Sequence, residues 1–179
     1  MKSLSPDIQL RPMSEGDYAL MYNWRQEPSI RQFNPLDDIS HEEMRDRYLK
    51  TSTDLTDKSH TNFRWMVEKN GAAVGSVALN NVNWRMGLGE LGYGISEDHH
   101  GKGIGTKAVA LLVAKVLKDS TLNRIIAYVS TENVASWKLL ERLGFRREGT
   151  LRQHYVVQGR RVDEHIYGIL RSDWETDLD

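Results

Sequence analysis

Much of the chain shows the two-residue alternation of apolar and polar positions that is typical of β-strands. Segments 63–69 and 72–82 are joined at Asn70-Gly71, a dipeptide that strongly favours a two-residue hairpin turn. Segment 122–129 is more continuously apolar, which predicts a fully buried strand. The predicted strands are 7–12, 63–69, 72–82, 90–96, 122–129, a segment from 145 onward, and 162–170.

Apolar residues at helical spacing occupy several of the segments between these strands. Ser40 and Glu43 have the spacing of a capping box, which predicts that a helix begins there. Segment 104–117 is apolar nearly all round, so we expect that helix to be buried between the sheet and another element. The predicted helices run from about 13–17 to Pro28, from Ser40 to about Lys50, over 104–117, and over 134–143 with Gly144 at its end.

The order of these elements is strand, helix, helix, three strands, helix, strand, helix and two strands. This order contains one βαβ crossover, around the helix 104–117, whereas most of the other strands follow one another directly. We therefore predict an α/β protein with a single central mixed sheet flanked by helices. The chain has 179 residues without a repeat or a linker, so one domain is expected over 1–179, with its core at about 7–175.

Composition removes several classes of function. Lys and Arg total 24 against 25 Asp and Glu, and this balance argues against a nucleic-acid partner, which needs a basic face. The absence of Cys excludes disulfides, thiolate nucleophiles and iron–sulfur sites, and the His spacings predict no metal site. No apolar run approaches the ~20 residues that cross a bilayer, and no signal peptide is evident, so we expect a cytoplasmic protein without a membrane partner.

The most informative segment is the glycine-rich loop Gly101-Lys-Gly-Ile-Gly105, which follows a predicted strand and runs directly into the apolar helix. Glycines let the main chain approach an anion closely, and the first N–H groups of a helix point away from its start. Together these features predict a binding site for a diphosphate. The alternative is a tight strand-to-helix turn without a ligand, which does not require three glycines at alternate positions.

The same glycines also match the dinucleotide-binding fingerprint, over Gly103-Ile-Gly-Thr-Lys-Ala108. That fingerprint normally opens a series of βαβ units, whereas here the long segment before it is mostly of another kind and only one crossover is predicted. The phosphate loop of nucleotide hydrolases is absent, because Ser96 stands at the position of its first glycine and Gly103 at that of its Ser or Thr. Neither alternative explains the segment as well as a diphosphate site of another class.

Two blocks of the chain resemble a known family. His100-Gly-Lys-Gly-Ile-Gly-Thr106 resembles motif A of the GCN5-related N-acetyltransferases (GNAT), and Asn133 to Phe145 resembles the Asn-x-x-Ala/Ser…Gly-Phe helix that follows it. The segment from Glu148 to Tyr167 resembles the RimJ/RimL branch, which acetylates the N-terminal amines of ribosomal proteins. The resemblance covers about residues 7–175.

This resemblance implies a GNAT fold and acetyl-CoA as the acetyl donor. It also implies that the strand before the loop splays from its neighbour, that the pantetheine arm fills the gap, and that the loop amides bind the pyrophosphate. His100 replaces the usual Gln or Arg, and Asn133 is equally well placed to be the N-cap of its helix. The residues expected to bind the cofactor are Ile95, Ser96, His100, Gly101, Lys102, Gly103, Ile104, Gly105, Thr106, Asn133 and Ser136.

Acetyl transfer to an amine requires a base, because an amine of pKa about 10 is protonated at neutral pH, and a proton donor for the departing thiolate. Glu90, at the start of the predicted strand, is the expected base, with a solvated strand-end charge as the alternative. The resemblance to the RimL branch implies that Ser136 donates a proton to the sulfur, with a small polar residue in a first helical turn as the alternative. Leu140 stands where many family members have a Tyr for this purpose.

The acceptor is expected to bind between the two N-terminal helices and the last hairpin, and to attack the thioester directly in a ternary complex. By resemblance, a protein N-terminal amine ranks first, a nucleotide-linked aminosugar second and a polyamine third. The acidic residues of segment 37–46 either steer a cationic amine or form a solvated helix face. The residues expected to contact the acceptor are Trp24, Arg25, Arg31 and Tyr155.

Two expectations concern the chain as a whole. A domain that keeps the fold and uses acetyl-CoA only as a regulatory ligand is the alternative from a non-enzymatic class, and Glu90, Ser136 and the intact glycines argue against it. The exposed strand edges of such a sheet often pair between copies, so a homodimer is one expected assembly.

Overall fold

The computed structural model describes residues 7–176, within which seven strands form one sheet in the order β1-β2-β3-β4-β5-β7-β6. The predicted mixed α/β sheet flanked by helices is confirmed. The strands are β1 (Ile8–Arg11), β2 (Phe63–Lys69), β3 (Ala72–Asn83), β4 (Leu88–Ile95), β5 (Arg124–Ser130), β6 (Arg146–Val157) and β7 (Arg160–Leu170). The helices are α1 (Asp17–Arg25), α2 (Pro28–Arg31), α3 (His41–Leu49), α4 (Ile104–Asp119), α5 (Val134–Arg142) and α6 (Arg171–Thr176).

The sheet is antiparallel except at its centre. Strands β1 to β4 form an antiparallel meander, β5 pairs antiparallel with β7 and β7 with β6, but β4 and β5 are parallel. Helix α4 connects these two strands, because parallel neighbours need a long crossover. The predicted βαβ crossover is confirmed, and it places the glycine loop between the carboxyl end of β4 and the start of α4.

The sheet separates two hydrophobic clusters. Helices α4 and α5 cover one face, and α1 and α3 cover the other, where Met21, Met44 and Met66 meet. Helix α4 packs between the sheet and α5, as predicted, and Ala114 is exposed on its outer side. A small residue tolerates that exposure at little cost. No helix within residues 7–176 is long and apolar enough to span a bilayer.

The structure contains the turns and helix caps that the local sequence predicted. Asn70 and Gly71 have φ angles of +49° and +82°, the left-handed conformations that a type I′ hairpin turn requires. Ser40 and Glu43 form the complete capping box at the start of α3. Gly144, at φ +83°, follows α5 as a left-handed residue that ends the helix.

Several element boundaries differ from the predictions, and one of them affects the site. Strand β4 begins at Leu88, so Glu90 is its third residue and does not start it. Pro28 begins the short helix α2, which was not predicted, in agreement with the preference of proline for a first helical turn. Asp17 lies in the first turn of α1, where it is buried in an ion pair with Arg11 at 2.7 Å.

Candidate active site

The centre of the sheet opens into a wedge between β4 and β5. Their parallel ladder has three pairs and ends with Glu90 opposite Ile126. Beyond this point β4 stays paired with β3 as far as Ile95, and β5 stays paired with β7 as far as Ser130, so each strand keeps its outer partner while the two separate. The inner edges of residues 91–95 and 127–130 therefore present unpaired main-chain groups to the wedge.

The glycine loop lies at the wide end of this wedge. Gly101 and Gly103 have φ angles of +71° and +72°, and a Cβ at either position would meet nothing within 4 Å, so the glycines are required by the backbone conformation and not by crowding. Among the described residues, the main-chain N–H groups of residues 101–106 donate to no protein acceptor. These donors and the positive end of α4 form an arrangement that fits a diphosphate.

The side chains of the loop and its flanks have protein partners. The His100 ring bonds the main-chain carbonyl of Ile95 at 2.7 Å and so fastens the loop to the end of β4. The Lys102 ammonium donates to the carbonyl of Asp98 at 2.7 Å. Ser96 is buried directly after β4. The anion-binding capacity of this segment therefore comes mainly from its main chain.

Helix α5 lies close to the start of α4, which explains the third glycine of the loop. A Cβ at Gly105 would lie 3.2 Å from the Leu139 side chain and 3.7 Å from that of Ile95. Ile104 is buried beside it and Thr106 is half-buried. Gly105 thus allows the close packing of α4 and α5, a different purpose from that of Gly101 and Gly103.

The start of α5 brings two hydroxyl groups together at the wedge. Ser136 Oγ lies 2.7 Å from the hydroxyl of Tyr93. Tyr93 belongs to the part of β4 that has separated from β5. Burial raises the pKa of Tyr93, so its hydroxyl stays protonated as a hydrogen-bond donor. Asn133 is the N-cap of α5, and its side chain accepts from the main-chain N–H of Ser136 at 3.2 Å. The sequence did not identify Tyr93; its place two residues before Ile95 in a glycine-containing strand was the available signal.

Glu90 lies at the narrow end of the wedge, where the β4–β5 ladder stops. Its carboxylate is half-buried and accepts a hydrogen bond from the Asn81 amide at 3.0 Å. Asn81, at φ +51°, belongs to the irregular part of β3 where the pairing with β4 shifts. Glu90 therefore has one neutral partner and keeps further acceptor capacity.

A second carboxylate, which the sequence analysis missed, faces the same region from β7. Glu164 is 7% exposed, lies directly opposite Ser130 at the end of β5, and pairs with the His154 ring. Burial raises the pKa of Glu164, the negative charge of Glu90 adds to this effect, and His154 opposes it. The signal available in the sequence was an acid at an inward position of an alternating strand, two residues after the buried Val162.

The predicted acceptor residues occupy the face of the sheet that α1 and α2 cover. Tyr155 donates from its hydroxyl to the main-chain carbonyl of Phe33 at 3.1 Å and so joins β6 to the segment after α2. Burial and the charge of Glu164 raise the pKa of Tyr155. Trp24 packs against the methionine cluster, and Arg25 donates to the carbonyl of Asp37 at 2.9 Å.

Two of the five acids in the segment 37–46 form ion pairs. Asp38 pairs with Arg31 at 2.9 Å, and Asp37 lies 3.5 Å from Arg47. Glu43 is used by the capping box of α3. Glu42 and Asp46 are exposed and form no ion pair within residues 7–176, so the segment keeps negative charge that could steer a cationic amine. Within residues 7–176, no group of three or more His, Asp or Glu side chains converges as metal ligands do.

Comparison with known proteins gives the family. A profile of the acetyltransferase (GNAT) domain matches residues 7–146. The chain is 29% identical over 171 residues to the uncharacterized N-acetyltransferase p20 of Bacillus licheniformis, a match that covers 93% of this chain and 94% of that protein. It is 32% identical over 105 residues to the putative ribosomal N-acetyltransferase YdaF of Bacillus subtilis, a match that covers 59% of this chain and 57% of that protein.

Solved structures show the same fold. The spermidine N-acetyltransferase of Vibrio cholerae in complex with CoA and spermine aligns with a TM-score of 0.83 at 24% identity, over 94% of this chain and 98% of that one. The ribosomal L7/L12 acetyltransferase RimL in complex with coenzyme A aligns with a TM-score of 0.81 at 19% identity, over 93% of this chain and 96% of that one. The chain therefore belongs to the GNAT family and is an acetyl-CoA-dependent N-acetyltransferase, which confirms the family predicted from its sequence.

Proposed function

We propose that this N-acetyltransferase transfers the acetyl group of acetyl-CoA to the N-terminal primary amine of a protein, by direct attack while both substrates are bound. The observation that carries the proposal is the wedge between β4 and β5. It runs from the free amides of residues 101–106 to the carboxylate of Glu90, and passes the hydroxyl pair of Tyr93 and Ser136. One continuous opening thus supplies an anion site, a proton donor and a base.

The wedge fits the donor by its main chain. We expect the amides of residues 101–106 to bind the diphosphate, and the edge of β4 that faces the wedge, up to the N–H of Ile95, to bond the pantetheine amides as a neighbouring strand would. The carbonyl of Ile95 is already bonded to His100, and the N–H of Ser96 donates to Val74 on β3, so Ser96 would contact the cofactor through other atoms. His100 holds the shape of the loop through its bond to the Ile95 carbonyl, and Lys102 adds positive charge beside it. Asn133 contributes by fixing the start of α5 and hence the position of Ser136.

Two groups move protons in this proposal. Glu90 accepts the proton of the incoming ammonium, which must be neutral to attack, and its half-buried carboxylate at the narrow end of the wedge gives the proton a route to water. The Ser136 hydroxyl donates to the departing sulfur and is replenished through Tyr93 at 2.7 Å. Leu140 is fully buried in the core, so the position that often carries a Tyr in this family takes no part.

The choice of acceptor rests on a cleft between the segment after α2 and the β6–β7 hairpin. An extended peptide end can enter between α2 and the β6–β7 hairpin, with Trp24, Arg25, Arg31 and Tyr155 around the entrance, and relatives of the chain include a putative ribosomal acetyltransferase and an enzyme named for ribosomal protein uS5 alanine. A polyamine is the second candidate, because the spermidine acetyltransferase of Vibrio cholerae matches 96% of the chain at 25% identity.

A thiol-release assay across a panel of amines tests the proposal. The panel contains peptides with a free N-terminus, the same peptides with a blocked N-terminus as controls, spermidine, and a nucleotide-linked aminosugar. We expect turnover with free N-terminal peptides and none with blocked ones. Turnover confined to spermidine or to the aminosugar would replace the acceptor, and tight cofactor binding without any turnover would favour a regulatory domain.

A further inference from the structure

One cation near the acceptor face has no counter-charge in the part of the chain that the structure describes. Arg64 lies half-buried on β2, where its guanidinium sits 4.6 Å from the centre of the Tyr48 ring and donates from Nη1 to Ser76 Oγ at 3.0 Å. Its Nε is fully buried and has no partner among the described residues. A guanidinium has five N–H donors, so most of its hydrogen-bonding capacity is not used by the described protein.

The surroundings of Arg64 are themselves positive. Arg25 from α1 lies close enough for its charge, together with burial, to lower the pKa of Arg64. Within residues 7–176, neither arginine forms an ion pair: Arg25 has a main-chain carbonyl as its partner, and Arg64 has a hydroxyl and an aromatic ring. Two neighbouring cations that lack a carboxylate cost free energy, which an anion between them would recover.

The register of the sheet places Arg64 beside the wedge. Arg64 pairs with Ala78 on β3, and Ala78 pairs with Gly92 on β4; in the next inward pair on this face, Ser76 lies opposite Gly94. With neighbouring strands about 4.8 Å apart, the Cα atoms of Arg64 and Gly92 are about 10 Å apart. Ala78 and the two glycines carry no large side chain of their own, and the space over the glycines is bordered by Asn80 and by Ile30 of α2.

We propose that Arg64 and Arg25 form an anion subsite for the acceptor, which carries a carboxylate or phosphate about 10 Å from its reactive amine. This proposal rests on the proposed function and refines it. An extended peptide advances about 3.5 Å per residue, so the group on a protein acceptor is an acidic side chain at the second or third position. The subsite disfavours polyamines, which carry only positive charge. A phosphate-bearing aminosugar is the second kind of acceptor that would bring an anion to it.

Matched acceptors test the subsite. One pair is a free N-terminal peptide with Glu at positions two and three and the same peptide with Gln there; the other is glucosamine 6-phosphate and glucosamine. We expect kcat/KM to favour the acidic peptide by at least about tenfold, as a charge-assisted contact gives. A preference found only within the sugar pair would assign the anion to a phosphate. Equal rates within both pairs would overturn the subsite.

Variants show whether the arginines are responsible. In Arg64→Met, we expect the ratio of kcat/KM for the Glu peptide to that for the Gln peptide to fall close to one, mainly because the Glu peptide reacts more slowly. The control is Arg45→Met, because Arg45 is a half-buried arginine on α3 that already pairs with Glu15 at 2.8 Å, and its loss should leave the ratio unchanged. A ratio that survives in Arg64→Met would contradict the proposal. If that variant does not bind CoA as the wild type does, Arg25→Gln takes its place, with a fall of about threefold expected.

Binding measurements separate this proposal from the proposed function. Calorimetry of the N-acetylated Glu and Gln peptides on the enzyme–CoA complex reports the subsite without turnover. If no peptide is acetylated but the acetylated Glu peptide binds more tightly than its Gln counterpart, and Arg64→Met removes the difference, the anion subsite stands and the peptide acceptor is wrong. If peptides are acetylated with no difference between the Glu and Gln peptides, the peptide acceptor stands and the anion subsite is wrong.

Discussion

The two sides of the β4–β5 wedge differ in the groups that line them, which are main-chain groups on one side and side chains on the other. The donor side consists of consecutive main-chain groups, the amides of residues 101–106 and the open edge of β4, within one short stretch of sequence. The acceptor side consists of side chains from α1, β2, β4, β6 and β7 that only the folded sheet brings together. The donor site is therefore encoded locally and the acceptor site by tertiary structure, and substitutions should affect the two sides separately.

The largest expected effect is on the donor side. Gly103→Val places a β-branched residue at φ +72°, which moves the loop and removes part of its row of amides. Loss of two charge-assisted hydrogen bonds, at about 1.4 kcal/mol each, raises the dissociation constant of CoA about 100-fold in calorimetry.

The matched control is Gly71→Val in the β2–β3 turn. Gly71 also has a positive φ, +82°, and equally open surroundings, but it lies away from the wedge. We expect it to lower the melting temperature without changing CoA affinity. Unchanged affinity in Gly103→Val, or equal losses in both variants, would show that the loop amides do not hold the donor.

The hydroxyl pair stands between the two sides, and its loss should change chemistry more than binding. Ser136→Ala removes the group that lies 2.7 Å from Tyr93 while leaving the main-chain N–H that Asn133 caps. We expect kcat to fall about 100-fold, the contribution of a general acid, with CoA affinity changed less than about twofold. Equal activity would remove Ser136 from the mechanism. Ser120→Ala, at the far end of α4, is the control and should leave kcat unchanged.

The smallest expected effect concerns the acceptor side and depends on pH. The pKa of Glu164 is raised in the folded protein, so Glu164 contributes stability that is fully present below its unfolded pKa of about 4.3 and is lost as pH rises through the folded value. Glu164→Gln keeps a neutral group there at every pH. Its melting temperature relative to the wild type should therefore rise by about 2–4 °C between pH 4 and pH 8.

The groups around Glu164 determine how that measurement is interpreted. His154 from β6, Tyr155 beside it and Glu90 from β4 all face the carboxyl. Repeating the comparison in a Glu90→Gln background should reduce the pH-dependent difference, because one negative neighbour is gone. A difference that does not change with pH would show that Glu164 is charged throughout, held by His154.

This contrast also explains what the sequence predicted and what it did not. The Asn70-Gly71 turn, the Ser40 capping box and the glycine loop depend on residues close in sequence, and each was predicted from them. Glu164 was missed because its partner His154 reaches it only through a shift in the β6–β7 pairing between Leu151 and Tyr155, which no local pattern records.

Arg64 and Tyr93 were missed for a related reason. Arg64 stands at the start of a strand, where an arginine is ordinarily solvated, and only the packing of α3 over β2 covers it. Tyr93 meets Ser136 across the crossover, from an unrelated part of the chain. Glu90 was identified, but two residues of β4 precede it, so its place at the end of the β4–β5 ladder became clear only from the register.

The central claim is that the main-chain N–H groups of residues 101–106 hold the diphosphate of the donor. An amide-resolved NMR titration of the protein with CoA tests it most directly. We predict that the resonances of residues 101–106 shift together and that their hydrogen exchange slows at saturation, while Asn70 and Gly71 stay unchanged. Saturable CoA binding that leaves these six amides unaltered would contradict the account.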